Sequence, residues 1–394
     1  MLVLYNSVHI TSRQDRSYMT EIYLIRHTQA EGNLYRMMQG HWDGAVTPLG
    51  YKEIDALAER LKGVALDAVY SSDLRRAVLT AGAATRYNGL TVQTDKRFRE
   101  IDLGPWEAQF FGNVQRDEPE QAEFFLHEPA RWKIPGAESM EDIISRAYPA
   151  LVEIAEKHAG GAAAVVSHGI TIRCLMTKIL GLSFSREELL PIAKNTSITK
   201  LIYENGTFTP EYIGDADHIL HLSSGDWVTA DGLNDRVFDP SSDPAFYKAC
   251  YQDAWHAAHG GDMHAFHPEV YYASALEHHK ACPGAVLKLY HQDQCVGVVD
   301  CDTERGARAG IGWVSLLYLV PEYRGKGYGS QLLGRAVALY SRLGRHSLRL
   351  LTASSNTAAL KFYERLGFTC VSTESGASGP LFLMEKKLEA VSDV

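Results

Sequence analysis

Cysteine is scarce and unpatterned in this sequence: Cys174, Cys250, Cys282, Cys295, Cys301 and Cys370 form no CxxC pair, and only Cys174 lies in the first half. That excludes a disulfide framework as the source of the fold and fits reduced thiols in a cytoplasmic protein. No apolar run approaches the roughly 18 residues of a membrane span, and the N-terminus lacks a basic region followed by an apolar core. No membrane partner is expected. A basic excess is missing too, with 39 Lys and Arg against 48 Asp and Glu and a formal net charge of -9. Nucleic-acid affinity rests on clustered Lys and Arg, so nucleic acid is not an expected partner either.

What is present is a chain of 394 residues, long for one core, with an ordinary globular composition of 45% hydrophobic and 22% charged residues. Two or three domains are expected. Residues 1–18 match neither the pattern that follows nor a targeting peptide, and they read as an extension ahead of a natural start at Met19.

The first half repeats strand, loop, helix three times. An apolar strand, Ile22–Ile25, delivers Arg26 and His27 to its end. A helix follows, capped by Thr47 and Pro48, with Ile54, Leu57, Ala58 and Leu61 at helical spacing and Gly63 closing it. A second strand, Leu66–Tyr70, runs into Arg75 and Arg76, and a third, Ala163–Val166, runs into His168 and a helix to Leu180. This alternation predicts an open α/β sheet whose ligands sit beyond the carboxyl ends of the strands. Arg26, His27, Arg76 and His168 would then converge on one rim. Any one of them alone reads as a solvated polar residue at a strand end. Together they suit a dianionic phosphoryl group, because guanidinium binds it bidentately and imidazole can attack phosphorus. Such a site holds the spreading charge of the transferring group with no metal required. Glu100, ahead of a Gly-Pro-Trp turn, is the candidate to protonate the leaving oxygen.

Four motifs, RHT at Arg26–Thr28, SSDLRRA at Ser71–Ala77, REIDLGPWE at Arg99–Glu107 and SHG at Ser167–Gly169, stand in the order of one family. Over residues 20–222 the sequence resembles the histidine phosphatase (phosphoglycerate mutase-like) superfamily, which implies a three-layer α/β/α domain, here 19–222. The resemblance implies that His27 becomes phosphohistidine, that Arg26, Arg76 and His168 form the phosphate pocket, that Asn33 and Gln39 line it, and that Glu100 donates the proton. Two departures stand out. The usual Trp-Glu-Gly reads Trp106-Glu107-Ala108, expected to alter only a loop conformation. The short span from Glu100 to His168 favours a phosphatase over a mutase. Within it, Gln121–Trp132 reads first as a surface helix packing its phenylalanines and second as a lid.

Asn195–His221 reads as a hairpin turning at Asn205-Gly206, and the Gly-, Ser- and Asp-rich stretch that follows as a linker, 223–235. From Arg236 the pattern gives two helices, a hairpin, a strand at Gly312–Val320, the loop Arg324–Gly329, and a helix with Leu332, Leu333, Ala336, Leu339 and Leu343 at helical spacing. Glycines between strand and helix let backbone N–H groups approach a pyrophosphate at a helix N-terminus. A further strand, Ser347–Ala353, precedes Asn356 and FYERLGF at Phe362–Phe368. These motifs resemble the GNAT acetyltransferase superfamily, which implies an α+β domain, here 236–394, using acetyl-CoA. The resemblance implies that Arg324, Gly325, Lys326, Gly327, Tyr328 and Gly329 hold the pyrophosphate. It further implies that Asn356 contacts the cofactor arm, that Tyr363 protonates the departing thiolate, and that main chain near Leu319 binds the acetyl carbonyl. It fixes no general base.

Six of the sixteen histidines, His256, His259, His264, His267, His278 and His279, fall in the helical region where that family binds its acceptor. Their spacing fits no zinc template; solvated or partly packed side chains are the favoured reading, and binding or deprotonating an amine the other. The expected protein is a metal-free phosphatase fused to an acetyl-CoA-dependent N-acetyltransferase, acting on a small phosphomonoester and an amine. The competing expectations are a phosphatase tuned by a silent acetyl-CoA sensor, and a mutase-type phosphotransferase.

Overall fold

Residues 19–222 and 232–388 are described in the computed structural model. The expected extension 1–18 and residues 223–231 of the expected linker lie outside them. In chain order the strands are β1 (Thr20–Arg26), β2 (Ala68–Ser71), β3 (Val92–Thr94), β4 (Ala162–Ser167), β5 (Ile198–Glu204), β6 (Thr207–Asp215), β7 (Asn234–Val237), β8 (Val286–His291), β9 (Gln294–Asp302), β10 (Ile311–Leu319), β11 (Ser347–Ala353), β12 (Thr369–Gly376) and β13 (Gly379–Lys387). The helices are α1 (Glu31–Tyr35), α2 (Pro48–Leu61), α3 (Arg75–Thr85), α4 (Phe111–Asp117), α5 (Pro119–His127), α6 (Met140–Lys157), α7 (Gly169–Leu180), α8 (Pro244–Ala258), α9 (Pro268–Ala281), α10 (Tyr328–Arg342) and α11 (Thr357–Arg365). No helix among the described residues is long and apolar enough to cross a membrane.

The described residues form two compact units. The first takes 19–27, 54–101 and 139–218; the second takes 28–53, 102–138, 219–222 and 232–388.

The first unit is built on a sheet ordered β3-β2-β4-β1-β5-β6. Strands β3, β2, β4 and β1 run parallel, and the β5–β6 hairpin joins antiparallel to β1. A parallel strand covered on both faces needs a near-continuous apolar run, and Ala162–Ser167 is buried at every position. Ile22 and Leu24 of β1 pack with Leu151 and Ile154 of α6 and with Leu175 and Met176 of α7. Helix α6 begins at a capping box, Ser139 accepting from the Asp142 N–H at 3.1 Å while Asp142 accepts from the Ser139 N–H at 2.9 Å. The hairpin turns where expected, with positive φ at Asn205 (50°) and Gly206 (79°), the pattern of a type I′ turn.

The second unit has a sheet ordered β12-β13-β11-β10-β9-β8-β7, antiparallel except for β10 beside β11. That parallel pairing covers only Ile311–Val314 against Ser347–Leu350, whereas β10 stays paired to β9 as far as Leu319 and β11 to β13 as far as Ala353. Beyond Val314 and Leu350, β10 and β11 part. The edge strand β7 and the β12–β13 hairpin were not evident in the sequence. Helix α10 packs under this sheet in a core that also takes Tyr35, Met37 and Phe110. A Cβ on Gly334 of α10 would lie 2.6 Å from the Tyr35 Cβ. The neighbouring Arg335 is buried over the Phe110 ring at 3.7 Å, paired with Asp235 at 3.0 Å, and its pKa is lowered to about 10 by burial.

In the aromatic stretch of the first half, the phenylalanine packing expected of a surface helix is present at Phe125. Phe125 packs edge-on against Trp106 and Trp132, which tilt against each other, at 5.1–5.8 Å, and the Trp106 indole N–H donates to Glu118 at 2.9 Å. Ala108 keeps the left-handed backbone, φ 59°, that favours glycine.

Candidate active sites

In the first unit the β1–β4 register pairs Arg26 with Ser167, so the next residues at the two carboxyl ends are His27 and His168. The His27 N–H donates to the Ser167 carbonyl at 2.9 Å, and Asn195 Nδ2 donates to the His27 carbonyl at 2.8 Å. The two imidazoles lie 5.1 Å apart between centroids, tilted by 52°. His168 is fully buried, and neither ring nitrogen has a hydrogen-bond partner. Burial, reinforced by the positive charges of Arg76, His27, Arg146 and Arg26, holds its pKa well below the ordinary 6.5. His168 is therefore neutral in a pocket rich in cations. A buried neutral ring with one N–H to donate, beside several cations, can receive an anion.

Of the two adjacent arginines, Arg76 is fully buried in the first turn of α3 and Arg75 is exposed. Arg26 Nη1 donates to the Ala193 carbonyl at 2.5 Å. Glu100 is buried, and its carboxylate accepts the Ile170 and Thr171 N–H groups at 3.1 and 3.0 Å and the Thr171 hydroxyl at 3.2 Å, at the N-terminus of α7. Two arginines fix the segment that carries it. Arg99 makes a bidentate pair with Asp73 at 2.7 Å on each arm, and Arg146 donates to the Arg97, Arg99 and Glu100 carbonyls at 2.8–3.0 Å. Arg26, His27, Arg76, Glu100 and His168 thus share the first unit. Sequence reasoning missed Arg146, Thr171 and Asn195; Arg146 is one cation on an amphipathic helix, with no local signal that it faces inward.

Asn33 and Gln39 belong to the second unit, where both side chains serve their own loop. Asn33 Oδ1 accepts the Ala30 N–H at 3.0 Å and Gln39 Oε1 the Gly32 N–H at 3.0 Å. Glu107, of the WEA motif, clamps the same region by accepting the His41, Trp42 and Leu103 N–H groups at 2.8–3.0 Å.

The second unit also holds a cavity of about 1370 Å³, opened where β10 and β11 part. Ser315–Leu319 line one side and Leu351–Ala353 the other. Arg324, Gly325, Gly327, Gly329, Asn356 and Tyr363 reach the same space. Gly325 and Gly327 have φ of 72° and 82°, nothing lies within 4 Å of a Cβ on Gly325, and Gly327 caps the fifteen-residue α10. The loop backbone is thus open to a ligand at a helix N-terminus. Arg324 itself is tied down: Nε donates to the Leu319 carbonyl at 2.8 Å and Nη2 to Asp253 at 2.6 Å. Asn356 Oδ1 caps α11 by accepting the Ala359 N–H at 3.2 Å. Tyr363 packs between Phe362 and Phe368, with ring centroids 5.3 and 5.4 Å away, and desolvation pushes its phenol up to about 12.

Residues 22–216 match the histidine phosphatase superfamily (branch 1), and residues 247–368 match the acetyltransferase (GNAT) family. Similar curated proteins include "Probable phosphoglycerate mutase GpmB" of Salmonella choleraesuis (strain SC-B67), 30% identical over 206 residues that make up 51% of this chain and 95% of that protein. Among solved structures, Bacillus stearothermophilus YhfR is 30% identical with a TM-score of 0.49, covering 51% of this chain and 99% of its own. A mycobacterial glucosyl-3-phosphoglycerate phosphatase is 29% identical with a TM-score of 0.46, covering 50% of this chain and all of its own, 100%. This chain belongs to the histidine phosphatase superfamily through residues 22–216 and carries a GNAT acetyltransferase domain after it.

Proposed function

We propose that the chain is a bifunctional enzyme, a metal-independent phosphomonoester hydrolase over 19–222 and an acetyl-CoA-dependent N-acetyltransferase over 236–394. The observation that carries the first half is the buried His168, with two unmatched nitrogens, facing His27 among arginines. His27 attacks phosphorus, the P–O bond breaks, and the leaving oxygen takes a proton from Glu100. Water then attacks the phosphohistidine, returns a proton to Glu100 and releases phosphate. Arg26, Arg76 and His168 hold the phosphoryl oxygens as charge spreads over them. Phosphate release from a panel of phosphomonoesters tests this. Normal turnover after His27→Ala would refute it.

A second reading, a mutase-type phosphotransferase, is favoured by the similarity to probable phosphoglycerate mutases. Formation of 2-phosphoglycerate from 3-phosphoglycerate, in place of free phosphate, would decide for it.

For the second half, the open loop at Gly325 and Gly327 ahead of α10 fits a pyrophosphate, and the parted strands fit an extended cofactor arm. Bound acetyl-CoA supplies a thioester-activated acetyl group. The backbone of Arg324–Gly329 meets its phosphates, the Asn356 amide nitrogen meets its arm, and main chain at Leu319 meets the acetyl carbonyl. Tyr363, held protonated, gives its proton to the departing thiolate. Fusion supports successive steps on one small phosphorylated amine in the cytoplasm. Calorimetric binding of acetyl-CoA, followed by mass spectrometry for an acetyl group on dephosphorylated product, tests both points.

A further inference from the structure

The cavity of about 1370 Å³ is lined by more than the cofactor loop and arm residues. Part of its wall comes from α8, α9 and β9, none of which carries a residue of the proposed cofactor site: Tyr247, Tyr251, Trp255, Tyr271, His278 and Asp300. We propose that the acceptor bound in this part is a primary amine carrying a flat apolar body, and that His278 is the base that removes the amine's proton. The inference rests on the acetyltransferase reading and deepens it.

The position follows from the register. Pairing between β9 and β10 shifts between Val314 and Leu316, so that Asp302 opposes Trp313 and Asp300 opposes Leu316. Val314 is also the last residue of β10 paired with β11. Asp300 and Asp302 therefore flank the point where the strands part and where a cofactor arm would enter.

Both oxygens of the fully buried Asp300 are committed, Oδ2 accepting the Tyr247 hydroxyl at 2.6 Å and Oδ1 facing His278 Nδ1 at 2.8 Å. An ionised carboxylate can only accept, so Nδ1 carries a proton, and the neutral ring keeps its lone pair on Nε2. That is the general arrangement of a base oriented by a third group. Nε2 lies 3.4 Å from Asp302 Oδ2, too long for a strong hydrogen bond. Asp302 is itself fixed, Oδ1 accepting the Glu304 and Arg305 N–H groups at 3.1 and 2.9 Å. An ammonium nitrogen seated between them can donate to both. The charged and titratable groups that face His278 are Asp300 and Asp302 from β9, with Tyr247 of α8 behind Asp300; the two carboxylates together raise its pKa above the ordinary 6.5 against the opposing effect of burial. Three aromatic side chains, Tyr251, Trp255 and Tyr271, join smaller ones such as Ala254 and Val270 on the same wall. Tyr251 and Tyr271 stack at 4.1 Å and 15°, and Trp255 leans on Tyr271 at 5.7 Å. Such faces suit a flat apolar group attached to a cationic nitrogen.

In the step itself the ammonium gives one proton to His278 Nε2, and the freed lone pair attacks the acetyl carbon of acetyl-CoA. The C–N bond forms, the C–S bond breaks, and the thiolate takes the Tyr363 proton. The nitrogen's second proton, lost as the amide forms, makes good the one Tyr363 gave. His278 releases its own proton to solvent.

The full chain is assayed for acetyl transfer to tryptamine and phenethylamine, with putrescine and glycine as amines lacking a flat apolar body. His278→Gln is expected to lose about 100-fold or more in kcat/KM toward the first two, with acetyl-CoA affinity from calorimetry unchanged. Wild-type kcat/KM should rise with pH along one limb, and Asp300→Asn should move its midpoint down. Independently of turnover, the His278 ring proton resonance, assigned by its absence in H278Q, should shift on adding tryptamine without cofactor. H278Q that binds acetyl-CoA and transfers at nearly the wild-type rate overturns the proposal, as does a resonance that tryptamine leaves in place. Wild type that binds acetyl-CoA and acetylates no amine overturns the acetyltransferase reading, and this inference with it. Should H278Q fail to fold, the wild-type pH profile decides: a flat one overturns the assignment of the base.

Discussion

The rings of His27 and His168 lie 5.1 Å apart at the carboxyl ends of adjacent parallel strands, and burial among cations keeps His168 neutral. Its depressed pKa ties stability to pH. The unfolded chain binds the proton at the ordinary value of 6.5, whereas the folded chain does so only well below it. Stability is therefore full above 6.5 and falls as pH drops below it, because the unfolded state then carries the extra proton. Urea midpoints should be lower at about pH 5.5 than at about pH 7.5, and His168→Gln should reduce the difference. An unchanged difference in the variant would show that other groups set the acid sensitivity.

Glu100 is placed to do two things, cap α7 and donate a proton, and substrate choice separates them. A poor leaving group needs its oxygen protonated as the P–O bond breaks; p-nitrophenolate does not. The Ile170 and Thr171 N–H groups meet different oxygens of Glu100, so Glu100→Gln keeps an acceptor for one of them. Hydrolysis of an alkyl phosphate should fall by about 10²-fold or more, and that of p-nitrophenyl phosphate by much less. Equal losses on both substrates would assign Glu100 to positioning alone.

The residues legible in the sequence are those whose place in the fold is set by their own strand. Arg26-His27 and His168 could be read because an apolar run ends in each, and the loop at Arg324 because strand and helix bracket it. What stayed hidden depends on distant partners. Strand β7 is four residues at an edge, paired to a strand some fifty residues on. His278 sits among five other histidines and is set apart only by Asp300 and Asp302 from β9. The contact of Tyr35 with Gly334 joins positions 299 apart that carry no shared local pattern.

Ala108 offers a stability test free of catalysis. At φ 59° its Cβ crowds the backbone, a strain of about 1–2 kcal/mol that glycine does not bear. Glycine also has the larger unfolded-state entropy to lose, which offsets part of the gain. Ala108→Gly should stabilise the protein by about 0.5–1 kcal/mol, read as a higher urea midpoint. A lower midpoint would mean that the flanking Glu107 clamp already absorbs the strain.

Gly334 is constrained by packing and not by backbone conformation. It lies inside α10, where alanine would ordinarily be the better helix former by about 1 kcal/mol. A Cβ there meets the Tyr35 Cβ at 2.6 Å, within a core shared by Tyr35, Met37, Phe110, Leu332 and Leu333. Both partners are fixed, one in a helix and the other a fully buried tyrosine, so neither can move without opening the core. Gly334→Val should therefore cost about 1–3 kcal/mol despite leaving both proposed sites untouched. Gly334→Ala is the sharper measurement, because helix propensity and overpacking then oppose each other. If packing wins, alanine also lowers the urea midpoint; a rise would show that the α1–α10 contact yields more readily than its geometry implies.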